Sequence, residues 1–210
     1  MSQVAAIDVG GTFIKAALVN KNLEVIKTES APTPKNDLTG LNTVAEIKNL
    51  VTGFGNVAAI GLAVPGTLDE KKGIARWTGN LNWRDLPIVD LLKKSIDLPV
   101  AFSHDVRAGA VAELRAGAAK GYANSVFIPI GTGIAAALII DGEIRSADGF
   151  AGEIGHLDVG GNTPCVCGKF GCLETEASAA AISKKYGGGK SAEEVLNLAR
   201  SGDQKAKVIV

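Results

Sequence analysis

Three cysteines and one histidine set the tightest constraint on this chain. Glu153-Ile-Gly-His156 is followed by Cys165-x-Cys167-Gly-x-x-Gly171-Cys172. All three cysteines of the sequence thus lie within eight residues, and one of its two histidines sits nine residues upstream. Three thiolates and an imidazole complete a tetrahedral zinc shell, so any fold must bring His156, Cys165, Cys167 and Cys172 to one point. Four protein ligands leave no open position, and the zinc expected here is structural. An odd cysteine count fits poorly with a disulfide framework. In a reducing compartment, clustered cysteines point to metal. Metal-free packing of buried thiols is the alternative, but Gly168 and Gly171 make the string too ordered for packing alone. Glu153 and Glu174 flank it, two carboxylates that the metal does not need.

The 210 residues are 46% apolar and 21% charged, enough to bury a core in one large domain or two small ones. Lys+Arg and Asp+Glu balance at 22 each, which gives no reason to expect nucleic acid or an anionic membrane as partner. No apolar stretch reaches the roughly 18–20 residues of a membrane span. Asp8 interrupts the first apolar run, and no basic segment precedes it, against a signal peptide. A cytoplasmic location is expected.

Apolar runs at Val4–Ile7, Phe13–Val19 and Leu23–Ile26 predict a β-meander whose first turn is Gly-rich. Ala31-Pro-Thr-Pro34 reads as a loop. Leu41–Val51, Ile88–Ser95 and Val106–Ala119 have helical patterns; Val57–Val64 and Val100–Phe102 read as strands. Ser125–Ile130 and Ile134–Ile140 are apolar runs on either side of Gly131-Thr-Gly133. Ser191-Ala-Glu-Glu194 is a capping box that opens a helix to Arg200, Gly202 would stop that helix, and Asp203 could cap another. Gly189-Lys190-Ser191 imitates the end of a P-loop, but residue 184 is Lys where the pattern needs Gly, so it reads as a loop.

Val4–Asn20 and Ser125–Asp141 share one pattern: apolar run, Gly-Thr turn, apolar run, polar turn. Gly11-Thr12 and Gly131-Thr132 are offset by 120 residues. An internal duplication is the sharper reading, and chance likeness of two hairpins is the plainer one. In a turn such as Asp8-x-Gly10-Gly11-Thr12, backbone amides can approach a phosphate without Cβ obstruction. The Thr12 hydroxyl adds a donor, Lys15 a cation, and Asp8 a group that acts through Mg²⁺ or its water shell.

Taken together, these residues resemble the ROK family of sugar kinases and sugar-responsive repressors. Asp8-Val-Gly-Gly-Thr-Phe-Ile-Lys15 is similar to its first phosphate motif, and Gly131-Thr-Gly133 to its second. Pro65-Gly66 matches a strand-end turn, and Asn80-Leu-Asn-Trp83 a sugar-contacting segment. The His-Cys string is the most specific signature. The resemblance covers residues 4 to about 200 and implies an α/β, actin-like (RNase H-like) duplicated fold. Two lobes, 1–118 and 119–210, would flank a cleft, with the second lobe incomplete.

The resemblance also implies roles. Asn80, Asp105, Glu153, His156 and Glu174 would hold sugar hydroxyls, His156 doing so with the ring nitrogen that zinc leaves free. Asp8, Gly10, Gly11, Thr12, Lys15, Gly131, Thr132 and Gly133 would hold the ATP phosphates and Mg²⁺. Asp105, just after a short strand and before a helix, suits a general base as well as an ordinary N-cap; the family's aspartate base lies at this point. The family commonly has Asn where His104 and Arg107 stand here, which puts the sugar preference in doubt.

Family members are longer, which implies that the chain lacks a last third carrying an adenosine-binding turn and a final helix. ATP binding by these residues alone is then expected to be weak. Exposed apolar surface would drive association into a homodimer or higher homo-oligomer. The leading expectation is an ATP-dependent hexose kinase forming glucose 6-phosphate, a reaction of glycolysis. N-acetylmannosamine, N-acetylglucosamine, mannose and fructose are alternative substrates, and polyphosphate an alternative donor. A sugar-binding protein without turnover is a second expectation. A repressor is disfavoured because only three residues precede Val4.

Overall fold

Period-two alternation decides the first strands. The computed structural model describes residues 3–210, and in β1 (Val4–Val9) it buries Ala5, Ile7 and Val9 while the residues between face away. The same holds for Ile14, Ala16 and Leu18 of β2 (Phe13–Val19). The first half of the chain continues through β3 (Val25–Pro32), α1 (Leu41–Gly53), β4 (Ala59–Val64), β5 (Thr67–Asp69), β6 (Ile74–Thr78), β7 (Trp83–Leu86), α2 (Ile88–Ser95), β8 (Val100–His104) and α3 (Asp105–Ala116).

These elements build the first of two compact units, which runs to Ala112 and takes in Ala147–Gly149; Glu113–Ser146 and Phe150–Val210 form the second. The first unit has a five-stranded sheet of order β3-β2-β1-β4-β8, antiparallel across β1–β3 and parallel across β1, β4 and β8. One sheet face packs on Val44, Ile47 and Val51 of α1 and on Ile88, Val89 and Leu92 of α2. Trp83, 1% exposed, belongs to this core and donates its indole N–H to Asp37 O at 2.9 Å. The Asp37 carboxylate accepts from both the amide and the hydroxyl of Thr43 at 2.8 Å, which satisfies donors in the first turn of α1. The other face carries small residues, Ala6, Ala17, Gly61, Ala63 and Ala101. With Ala108 and Val111 of α3 they line a groove of about 1050 Å³.

In the second unit, β9 (Ser125–Phe127), β10 (Ala137–Ile140) and β11 (Glu143–Arg145) form an antiparallel sheet of order β11-β10-β9. A 3₁₀ turn at Ile154–His156 follows, then α4 (Leu173–Ala177), α5 (Ala179–Tyr186), α6 (Ala192–Arg200) and α7 (Gln204–Ile209). Ser191 and Glu194 form the reciprocal capping box of α6, and the Asp203 side chain caps α7 through the Ala206 amide.

Three expectations change. Ala31-Pro32 is not loop but the end of β3, paired with Ile14 and Phe13; Pro is tolerated because β3 is an edge strand. The run Thr67–Leu86, in which no strand was expected, forms a three-stranded sheet, β5-β6-β7. The two hairpins differ in regularity. The first keeps its ladder up to Val9↔Ile14. In the second, β9 stops at Phe127, β10 starts at Ala137, and a lone Ile130↔Ile134 bridge spans the gap. Pro129 offers no amide there to continue the ladder.

Candidate functional site

Parallel strands bring three chain segments to one sheet edge. The register pairs Asp8 with Ala63 and Val64 with His104, so β1, β4 and β8 end together. Ligands of open α/β sheets bind outside these carboxyl ends. Here the chain leaves β1 into Gly10–Thr12, β4 into Pro65-Gly66, and β8 into Asp105.

The first turn is narrower in its donors than the sequence implied. Gly10 N–H donates to Phe13 O at 3.0 Å, closing the hairpin rather than pointing outward. Gly10 O accepts from the Thr33 hydroxyl at 2.7 Å, and Gly11 O from Lys35 Nζ at 2.8 Å. Among the described residues the amides of Gly11 and Thr12 have no partner. A Cβ on Gly11 would lie 3.0 Å from Asn80 Cβ, so glycine is what lets Asn80 stand against the turn. Asp8 faces Lys15 across the β1–β2 ladder. Partial burial, together with the negative charge of Asp105, pushes the Asp8 carboxyl above its usual value, and Lys15 opposes the shift. Two neighbouring carboxylates of this kind favour a cation.

Asp105 opens α3, with its side chain 37% exposed. Its Oδ1 accepts from the Val106 amide at 2.7 Å and lies 3.1 Å from His104 Nδ1. His104 is buried, and burial holds its imidazole below the usual value against the attraction of Asp105. Glu70, from the β5–β6 turn, accepts from the Ser103 hydroxyl at 2.8 Å, the His104 amide at 2.8 Å and Arg107 Nε at 3.1 Å. Burial works against the Glu70 anion, but those hydrogen bonds and the Arg107 charge win, and its carboxyl sits below the usual range. Arg107 Nη2 is buried with no partner among the described residues.

Sequence reasoning had no signal for Glu70 or Lys35. Both are charged residues in polar turns, and their partners lie more than twenty positions away. The large sheet-face groove touches only Asp8 and Lys15 of the expected site.

In the second unit, the expected metal ligands do converge. One donor atom from each of His156, Cys165, Cys167 and Cys172 lies within 4.8 Å of all the others. Zinc bonds of about 2.3 Å to sulfur and about 2.0–2.1 Å to nitrogen put tetrahedral S···S and S···N edges at about 3.8 and 3.5 Å. Cys167 Sγ is 3.6 Å from Cys172 Sγ, and Cys165 Sγ is 3.4 Å from His156 Nδ1, so the donor set fits zinc. Burial pushes the Cys165 thiol up to about 12; a bound dication is what turns such a thiol into a thiolate ligand. Nδ1 faces the sulfurs, while Nε2 faces Glu153 Oε2 at 3.9 Å.

Glu174 is closer to the cluster than its expected sugar role required. Its Oε1 accepts from Cys165 Sγ at 3.2 Å and lies 3.6 Å from His156 Nδ1. Its Oε2 stands 2.8 Å from where a Gly133 Cβ would be, which brings the Gly131–Gly133 turn beside the cluster. Gly131 N–H bonds Gly133 O at 3.0 Å, closing that turn on itself. Gly155 is obligatory in the Glu-Ile-Gly-His motif because a Cβ there would overlap Ile134 O.

A family model described as the ROK family matches residues 4–210. A glucokinase of Halalkalibacterium halodurans is 36% identical over 188 residues, covering 85% of this chain and 57% of that protein. A xylose repressor of Bacillus subtilis is 36% identical over 149 residues, covering 69% of this chain and 38% of the repressor. A Streptomyces griseus ROK family glucokinase, solved with glucose and AMPPNP, superposes with a TM-score of 0.85 at 29% identity, covering 99% of this chain and 74% of that one. The chain thus spans little more than half the length of two curated glucokinases that it matches, 57% and 58%. Among the described residues, no helix is long and apolar enough to cross a membrane.

Proposed function

The chain belongs to the ROK family, and from that premise we propose that it carries the phosphate- and sugar-handling residues of an ATP-dependent sugar kinase, with glucose as the first candidate. The observation that carries the reading is the meeting of Asp105, Asp8 and the free amides of Gly11 and Thr12 at the carboxyl ends of β1 and β8. Phosphoryl transfer asks for positioning, charge neutralisation and a base, and this edge offers all three.

In the proposed reaction Asp105 takes the proton of the sugar 6-hydroxyl as that oxygen bonds the γ-phosphorus and ADP leaves. Gly11 and Thr12 amides, the Thr12 hydroxyl and Lys15 hold phosphate oxygens. Mg²⁺ arriving with ATP would neutralise phosphate charge, and Asp8 is the residue to hold its water shell. Asn80 is assigned to the sugar in the first unit, and Glu153, His156 and Glu174 in the second. Gly131–Gly133 is assigned to phosphate. Zinc on His156, Cys165, Cys167 and Cys172 would fix the imidazole, leaving Nε2 as the nitrogen for a hydroxyl.

A coupled assay with hexose, ATP and Mg²⁺ tests the reading. Glucose turnover that Asp105→Asn abolishes while zinc stays bound is the expected result, and full activity of Asp105→Asn would move the base elsewhere. The likeness to a xylose repressor supports a second reading, sugar binding without turnover. Retained sugar binding with no phosphorylated product would select it. Assays with N-acetylmannosamine, N-acetylglucosamine, mannose and fructose, and with polyphosphate as donor, would settle specificity.

A further inference from the structure

Glu70 sits in the turn Asp69-Glu70-Lys71-Lys72, where a solvated side chain is the ordinary outcome. Instead a single oxygen, Oε1, gathers the Ser103 hydroxyl, the His104 amide and Arg107 Nε, all from the β8–α3 junction that carries Asp105. We infer that Glu70 is a positioning residue for Asp105: it holds the residues before and after the aspartate in the chain, so that Oδ1 is fixed by protein donors and Oδ2 is left to receive the hydroxyl proton. The inference rests on the reading of Asp105 as the base.

Two features carry it. First, Arg107 is 3% exposed on its side chain, and among the described residues its one ion-pair partner is Glu70. A buried guanidinium with an orphan Nη2 has no second anchor, so Glu70 alone holds this side chain in the first turn of α3. Second, two nitrogens converge on Asp105 Oδ1. The Val106 amide lies 2.7 Å from that oxygen but 3.2 Å from His104 Nδ1, so its stronger bond goes to the carboxylate. His104 Nδ1, 3.1 Å from the same oxygen, is then best placed to donate a proton of its own. A lone pair at that distance would repel an ionised Asp105. Burial of the ring favours the neutral form, so one proton, on Nδ1, is the arrangement that fits. His104 thus acts on the aspartate directly, while Glu70 holds the His104 backbone and, through Arg107, the first turn of α3.

The test uses ring ¹⁵N spectra of the two histidines, His156 being assigned with a His156→Asn variant, together with steady-state kinetics. The wild-type protein should show His104 neutral and protonated at Nδ1. Glu70→Ala should convert that signal to the Nε2–H form or a mixture. It should also lower kcat by about 100-fold, the cost of a catalytic group misplaced by an ångström, with KM for ATP unchanged. Glu70→Gln keeps an acceptor oxygen for the Ser103 hydroxyl and the His104 amide and should restore the tautomer, with kcat recovered only in part because Arg107 loses its counter-ion. An unchanged His104 signal in Glu70→Ala overturns the clamp, as does a kcat loss that merely tracks the loss of folded protein. If the wild-type protein phosphorylates no hexose, the base reading fails, while the ring spectra still decide whether Glu70 sets the geometry.

Discussion

The first unit mounts its candidate site residues at the ends of buried strands, whereas the second mounts them on loops tied together by a cluster of donors. In the first, Asp8 stands one residue before the end of β1 and Asp105 directly after β8, in a sheet whose residues Ile7, Ile60 and Leu62 are 2% exposed or less. In the second, His156 sits in a single 3₁₀ turn and Cys165 and Cys167 lie outside any helix or strand. Buried apolar residues there are few and mostly small, such as Ala136, Ala137, Ala181 and Ala206 beside Ile139 and Val195. Packing can place a side chain to a fraction of an ångström only where a core exists to enforce it. A loop reaches similar precision when several of its residues share one ligand.

Removing the zinc proposed for this cluster should break the contrast most visibly. Structural zinc contributes about 10–16 kcal/mol in small zinc domains. Chelation, or Cys172→Ser, should therefore abolish amide-exchange protection around His156 and α4. Both tryptophans, Trp77 and Trp83, belong to the first unit. Their fluorescence should stay native, and a simultaneous change would show that the first unit also depends on the metal. Attacking the packed unit instead, Trp83→Ala removes its largest fully buried side chain. It should cost about 3–5 kcal/mol in denaturant unfolding of the first unit, with binding of the proposed zinc unaltered.

A subtler probe uses pH. The Glu70 carboxyl is lower in the folded protein than in the unfolded chain, where it has the ordinary glutamate value. Its contribution is thus complete above that ordinary value and is lost as pH falls through the depressed one. Wild-type stability, followed by tryptophan fluorescence, should decline across this acid window more steeply than that of Glu70→Gln, and parallel curves would remove Glu70 from the acid response. The smallest effect is expected from Ser191→Ala, which deletes half of the α6 capping box and should cost about 1 kcal/mol. Amide exchange confined to α6 would register it.

The same division governs what could be read in advance. Strands and helices of the first core follow hydrophobic periods, so β1, β2 and α2 are legible from their own residues. The convergence of the expected zinc ligands is legible because four donors of the right chemistry crowd one segment. The β5–β7 sheet is hidden, since strands of three to five residues rich in charge carry no period. The clamp at Asp105 is hidden for another reason. Glu70 meets Ser103, His104 and Arg107 only through folding, across 33 to 37 positions. Gly10 shows the limit of a motif, because its amide serves the hairpin although the pattern assigns it to phosphate.

The return of Ala147–Gly149 to the first unit has a consequence for how this protein can be divided. Gly149 lies against the Leu68 backbone of β5 so closely that a Cβ would stand 2.8 Å from Leu68 O. A gene fragment ending at Ala112 encodes every strand of the five-stranded sheet yet omits three residues of the unit those strands build. On the ribosome, too, that unit stays unfinished until residue 149 has emerged, by which time β9, β10 and β11 have already been made. The two units are separate in their packing but interleaved in their inheritance, and a single crossover in the gene cannot exchange one for a relative's without splitting the other.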